Sequence, residues 1–248
     1  MYKCVIFDLD GTIYFGNQLA QKANEVINKA REKFLHIFFV TNNSAKSREQ
    51  IYKKLKSLGV DLTQDELYTV SYIIPKYLKE HDYKEVYCIG TDSLCSEISN
   101  AGIKYKSKKP EAVVVGFNPD FKLSDLDELA NINVDNNCKI IIANRERTYP
   151  VDKGYINAGA GPIVSAVECL LNKKVDVVTG KPNVQMLKVV TSGLNISPNE
   201  ILVIGDSYNS DIRMAQDFGA KGILITNNPV NDCQCIEKLS DLLEMWND

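Results

Sequence analysis

Short apolar runs alternate with longer amphipathic stretches along the whole chain, a pattern that predicts an α/β fold with a mostly parallel sheet. Cys4–Val5–Ile6–Phe7 reads as a buried strand, and it runs into Asp8–Leu9–Asp10–Gly11–Thr12. From Leu19 to Phe34 the residues Ala23, Val26, Ile27 and Ala30 fall on one helical face, which predicts a helix over that span. Ile37 to Val40 is the next strand, ending in Thr41–Asn42–Asn43–Ser44. A helix over Arg48 to Leu58 follows, with Ile51, Leu55 and Leu58 in phase and Gly59 as its stop. Further along, Ile201 to Ile204 reads as a strand that ends in Gly205–Asp206. Asn209 or Ser210 is placed to cap a helix carrying Ile212, Ala215 and Phe218, closed by Gly219. Gly222 to Ile225 predicts a strand, and Ile236 to Trp246 a C-terminal helix. The middle of the chain has its own alternation, with strands expected at Val86 to Ile89, Ala112 to Val115, Ile140 to Ala143 and Val175 to Val178. It is long enough to be a second α/β domain inserted into the first, so the expected division is a core of 1–80 and 179–248 around an insert of 81–178.

Composition narrows the function. The chain has 248 residues with the hydrophobic and charged content of an ordinary globular protein. Its net charge of −3 supplies no basic field, which argues against a nucleic-acid polymer as partner. No apolar run approaches the roughly 20 residues of a membrane span, and the apolar start is too short for a signal peptide. Seven cysteines, an odd number, read as free thiols in a reducing cytoplasm. Cys233 and Cys235 stand too close together for the usual structural zinc pair, and two histidines rule out a multi-histidine metal site.

Three polar clusters share one structural address. Asp8, Thr41 and Asp206 each follow an apolar strand directly or after a single glycine. In an open α/β sheet, ligands bind beyond the carboxyl ends of the strands, so neighbouring strands would bring these groups into one crevice. Lys181, in the turn Thr179–Gly180–Lys181–Pro182, is placed to return to the same edge. Asp8 and Asp10, two apart, are expected on the same side of the chain. Asp206 and Asp211 add further carboxylates. Acids crowded in this way repel unless a cation or a difference in role separates them, and an all-oxygen cluster suits Mg2+. Lys181, the Thr41 hydroxyl and nearby backbone N–H groups can hold phosphoryl oxygens. In this arrangement Asp8 attacks phosphorus, while Asp10 protonates the leaving alkoxide and later deprotonates water.

Singly these signals are weak. An acidic turn, a threonine ending a strand, a surface lysine or a helix-capping aspartate are all common. The glycine comes too early for an EF-hand loop, and Pro182 stands where a phosphate loop needs Ser or Thr. Their order along the chain and their shared position at strand ends argue for one site.

Asp8–Leu9–Asp10–Gly11–Thr12, Val40–Thr41–Asn42–Asn43, Gly180–Lys181–Pro182 and Gly205 to Asp211 resemble, in order, the four motifs of the haloacid dehalogenase superfamily. Val115–Gly116–Phe117, Ala143–Asn144 and Gly154 to Gly161 resemble the cap of its NagD-like, class IIA phosphatases. The resemblance implies a Rossmann-like three-layer core, an inserted α/β cap of the C2a type, Mg2+, and hydrolysis of small-molecule phosphate esters. It implies Asp8 as nucleophile, Asp10 as general acid/base and Lys181 beside them, with phosphate held by Thr41, Asn42, Asn43 and Lys181. The metal ligands it implies are the Asp8 carboxylate, the Asp10 backbone carbonyl and Asp206, with Asp211 behind them. A homodimer through the cap occurs among such relatives. One departure is Asn144–Arg145–Glu146 before Tyr149–Pro150, where the family cap often reads Asn–x–Asp; it bears on substrate, since cap residues face the leaving group.

Two other functions share the fold: a catalytically silent binding module, and a phosphotransferase or mutase. Four intact polar motifs argue against the first. The second is disfavoured by spacing, because the interval from Asp10 to Thr41 has room for one helix and one strand, not for a helical cap.

Overall fold

A computed structural model describes residues 2–150 and 156–247. In chain order the strands and helices begin β1 Cys4–Asp8, β2 Tyr14–Phe15, β3 Gln18–Leu19, α1 Ala23–Lys33, β4 His36–Thr41, α2 Arg48–Ser57, β5 Leu67–Thr69 and α3 Val70–Glu80. They continue with β6 Val86–Ile89, α4 Asp92–Asn100, β7 Ala112–Val115, α5 Leu123–Ala130, β8 Lys139–Ile142, β9 Thr148–Pro150, β10 Ile156–Ala158, α6 Ala160–Leu171 and β11 Val177–Val178. The last are α7 Gln185–Val190, β12 Ile201–Gly205, α8 Arg213–Phe218, β13 Lys221–Ile225, β14 Gln234–Ile236 and α9 Asp241–Met245.

The chain divides into two compact units. The first comprises Met1–Thr41, Glu49–Tyr68 and Lys181–Asp248, and the second Asn42–Arg48 and Thr69–Gly180. Helix α3, placed with the core from sequence, groups with the second unit, as do Asn42 and Asn43.

The first unit holds a six-stranded sheet in the order β14-β13-β12-β1-β4-β5. β1 is parallel to β12 on one side and to β4 on the other. All five of its residues are buried, as expected of a strand covered on both faces. Helix α1 lays Ala23, Val26, Ile27 and Ala30 into the core, where Phe7 stacks on Phe39 and Trp246 meets Phe34 edge-on. The second unit has a four-stranded sheet, β11-β8-β7-β6, with parallel pairing throughout, and an antiparallel pair of β9 and β10.

Three local expectations need correction. The helix expected from Leu19 begins at Ala23, because Tyr14–Phe15 and Gln18–Leu19 pair as a hairpin. The helix expected from Ile236 is confined to Asp241–Met245, and Ile236 instead ends β14, in register with Ile225. Neither Asn209 nor Ser210 caps α8. They lie inside a π turn, Tyr208–Ile212, that leads into it. Gly154, within the segment that resembles the family's cap, lies outside the described residues.

Candidate active site

The central place of β1 in the first unit's sheet decides where the chemistry sits. β1 ends at Asp8, β4 at Thr41 and β12 at Gly205, and these three strands are neighbours. Their carboxyl ends therefore form the edge that the sequence singled out. Asp8 is 5% exposed and Asp211 1%. Between them lies Lys181, 4% exposed, whose Nζ donates to Asp8 Oδ1 and, at 2.7 Å, to Asp211 Oδ1. Asp211 is fixed by its own turn: its Oδ2 accepts from the Ser207 N–H at 3.1 Å.

Asp206, exposed at the end of β12, completes an acid cluster. One carboxylate oxygen each from Asp8, Asp206 and Asp211 lie within 4.8 Å of one another. Three acids against one lysine leave an excess of negative charge. Burial pushes the Asp8 carboxyl well above the usual carboxylate range; Lys181 opposes the shift, and Asp211 and Asp206 add to it. Asp206 keeps solvent contact, yet the protein around its carboxylate strips part of its hydration; that desolvation first, and then Asp211, push it up to about 6 against the pull of Lys181. For Lys181 burial works against the charge, but Asp211 and Asp8 outweigh it and its pKa rises.

The donor set fits a hard divalent cation. Its ligand atoms are all oxygen, and the excess charge calls for a counter-ion. Asp8 Oδ2 is buried with no hydrogen-bond partner among the described residues, a costly state that a cation or a substrate would relieve. The backbone makes room for the cluster. Gly11 has φ of +89°, and a Cβ there would lie 2.2 Å from Asp206 Oδ2. A Cβ on Gly205 would lie 2.3 Å from Asp211 Cγ.

Asp10 differs from Asp8 in burial and in partner. β1 stops at Asp8, so strand alternation no longer governs the next residues. Asp8 is buried, whereas Asp10 is exposed and its Oδ2 accepts a 2.7 Å hydrogen bond from the Tyr14 hydroxyl. Sequence reasoning did not single out Tyr14. The signal was present in Asp10–Gly11, a turn pair: in the turn that follows, the Leu9 carbonyl accepts from the Ile13 and Tyr14 N–H groups, and Tyr14 returns beside the aspartate.

Thr41 is 2% exposed at the end of β4. The two asparagines that follow have partners in the second unit. Asn42 Nδ2 donates to Glu146 Oε1 at 2.8 Å, and Asn144 Nδ2 donates to the Asn42 carbonyl at 3.1 Å. Asn43 Oδ1 accepts from the N–H groups of Ala45 and Lys46. Gly180 is required by packing, since a Cβ there would lie 2.5 Å from both the Ala143 carbonyl and Asn42 Oδ1.

Residues 5–104 match the family model of haloacid dehalogenase-like hydrolases, and residues 178–235 match a second model of the same kind. The sugar-phosphatase AraL of Bacillus subtilis is 30% identical over 224 residues, covering 89% of this chain and 82% of that protein. The chain belongs to the haloacid dehalogenase-like hydrolases. Phosphoglycolate phosphatase 2 of Arabidopsis thaliana is a further relative of this hydrolase, 29% identical over 94% of the chain and 85% of its own length. The fold is that of the p-nitrophenyl phosphatase from Archaeoglobus fulgidus, with a TM-score of 0.88, 24% identity, and coverage of 98% of this chain and 99% of that one. The activity class common to these named relatives, phosphoric monoester hydrolysis, is the class of this enzyme. Among the described residues, no helix is long and apolar enough to cross a membrane.

Proposed function

We propose that the chain is a Mg2+-dependent phosphatase of small-molecule phosphate monoesters, working through a phospho-aspartate on Asp8. The single observation that carries this reading is the buried Asp8, with one oxygen on Lys181 and the other without a hydrogen-bond partner among the described residues. Asp8 Oδ2 attacks phosphorus, and the bond from phosphorus to the ester oxygen breaks. Asp10 gives its proton to the departing oxygen, then takes one from the water that attacks the acyl phosphate. Inorganic phosphate leaves, and Asp8 is regenerated as a carboxylate. Lys181 holds the transferring phosphoryl oxygens and neutralises their charge.

The Asp8 and Asp206 carboxylates and the Asp10 carbonyl would hold Mg2+, with Asp211 keeping Lys181 in place behind them. When bound, the ion would supply positive charge for the phosphoryl group and offset the repulsion between the acids. Thr41 lies in the same unit as Asp8 and supports phosphate binding through its hydroxyl; Asn42 and Asn43 are assigned to phosphate by the resemblance alone.

The substrate class is a sugar, nucleotide, glycerol or cofactor phosphate. Relatives named for a sugar phosphate and for phosphoglycolate support that breadth. The first unit is the catalytic core in this reading and the second its cap, through which a homodimer forms. A reducing cytoplasm fits seven free thiols.

Phosphate release from 4-nitrophenyl phosphate, with Mg2+ and then with excess EDTA, tests the reading. Release that EDTA abolishes is expected. Release indifferent to EDTA, or none from this ester or from a panel of phosphorylated metabolites, would overturn it.

A further inference from the structure

The general acid of the proposed reaction is, by its surroundings, poorly constrained. Asp10 is exposed and stands beyond the end of β1, outside the six-stranded sheet. An exposed carboxylate has several rotamers, and only those that aim an oxygen at the leaving group transfer a proton well. The structure supplies one device against this freedom. Tyr14 starts the hairpin that follows the acid, and its ring is 1% exposed. The backbone ties the two residues together: the Gly11 N–H donates to the Tyr14 carbonyl at 2.9 Å, and Asp10 and Tyr14 form a β-bridge. The Tyr14 hydroxyl then donates to Asp10 Oδ2 at 2.7 Å. The ring is braced from α2, where the Lys54 ammonium lies 3.8 Å from its centroid.

We infer that Tyr14 is a positioning residue for Asp10, its buried phenol holding one carboxylate oxygen so that the other is presented for proton transfer to the leaving group. The inference rests on the phosphatase reading, with Asp10 as the acid. It adds a residue that none of the four motifs contains. Tyr14 forms no bond to the substrate. Its effect is confined to the orientation of Asp10, so it grows with the need of the leaving group for a proton.

The test compares phenyl phosphate with 4-nitrophenyl phosphate, two esters of similar shape. Phenolate, the more basic leaving group at a pKa of about 10, needs protonation and 4-nitrophenolate needs little. Tyr14→Phe keeps the ring and removes only the hydroxyl. Steady-state kcat/KM covers the steps up to phosphoryl transfer. Tyr14→Phe should lower it about tenfold for phenyl phosphate and about twofold for 4-nitrophenyl phosphate, a fraction of the 10²–10⁴ that general acid catalysis contributes. In an Asp10→Asn background the same change should cost nothing further, because there is no acid left to position. A loss equal on both esters, no loss on either, or a full additional loss in the Asp10→Asn background would each overturn the inference. The phosphatase reading is judged separately by wild-type turnover of 4-nitrophenyl phosphate, and if that turnover is absent both fall together.

Discussion

Lys181 is a buried cation shared between two buried carboxylates, and the consequences of losing it can be ordered by physical chemistry. Without the ammonium, Asp8 and Asp211 remain beside each other with no compensating charge. Breaking a buried pair in this way costs about 3 kcal/mol or more. Lys181→Met should therefore lower the stability of the metal-free protein by about 3 kcal/mol at neutral pH, read from chemical denaturation. At pH 5 the loss should shrink as the stranded Asp8 carboxylate, already raised by burial, takes up a proton. A loss independent of pH would show that the lysine acts by packing alone. Asp8→Asn has the opposite electrostatic sign. It removes one of three acids around a single lysine, so the metal-free protein should be at least as stable as wild type. Its turnover should fall on the order of a thousandfold or more, the scale of losing a nucleophile. Turnover near wild type would remove Asp8 from the chemistry.

Two glycines with similar backbone angles separate a local constraint from a catalytic one. Gly11 and Gly59 have φ of +89° and +84°, and an L side chain at either is strained by about 1–2 kcal/mol. Around Gly59 a Cβ would meet nothing within 4 Å, whereas at Gly11 it would run into the Asp206 carboxylate. Gly11→Ala should thus raise the Mg2+ concentration needed for half-maximal turnover by tenfold or so, since a displacement of that carboxylate costs about 1.4 kcal/mol or more of binding. Gly59→Ala should leave the Mg2+ dependence unchanged. Equal effects on the Mg2+ titration would mean that Asp206 is not a ligand.

At this scale much of the fold was legible. Val86–Ile89 and Ala112–Val115 are apolar runs bounded by polar turns, and both form strands with the expected ends. The helix face of Ala23, Val26, Ile27 and Ala30 is buried as its spacing requires. What was not legible depends on tertiary partners. β2 and β3 are too short to show a period, and only their mutual pairing defines them. Ile236, Leu239 and Leu242 have helical spacing, yet Ile236 is claimed by the open edge of β13. Asp211 reads as a capping residue in sequence. Its i to i+5 turn, with the Ile212 N–H donating to the Ser207 carbonyl at 3.4 Å, leaves it instead bonded to Lys181.

For the molecule as a whole, the acid cluster sets the pH dependence of the metal-free state. Asp8 and Asp206 have folded-state pKa values raised above the ordinary carboxylate range, Asp206 to about 6. The folded protein therefore holds those protons more tightly than the unfolded chain. The stability that Asp206 contributes is present below pH 4 and lost as pH rises through about 6, and that of Asp8 is lost in the same direction as pH rises through its own raised value. Asp206 reaches solvent, so its share is the smaller. Glu168, pulled down to about 2 first by its hydrogen bond from Arg145, acts in the opposite direction but at lower pH, between its ordinary range and 2. Thermal melts of the metal-free protein should consequently show the midpoint falling between pH 5 and pH 7.5. Saturating Mg2+ should restore it most at the higher pH, where the carboxylates are ionised and unscreened. A midpoint that rises over that interval without metal would contradict the raised values.

The most direct measurement is chemical capture of the covalent intermediate. The enzyme is mixed with 4-nitrophenyl phosphate and Mg2+, quenched in acid during turnover, reduced with borohydride and mapped by peptide mass spectrometry. An acyl phosphate at residue 8 is converted by borohydride to homoserine. That product should appear at Asp8 in the wild type, and be absent with EDTA and in Asp8→Asn. Rapid phosphate release with Asp8 unmodified, or with the label on another residue, would contradict a phospho-aspartate mechanism at this site.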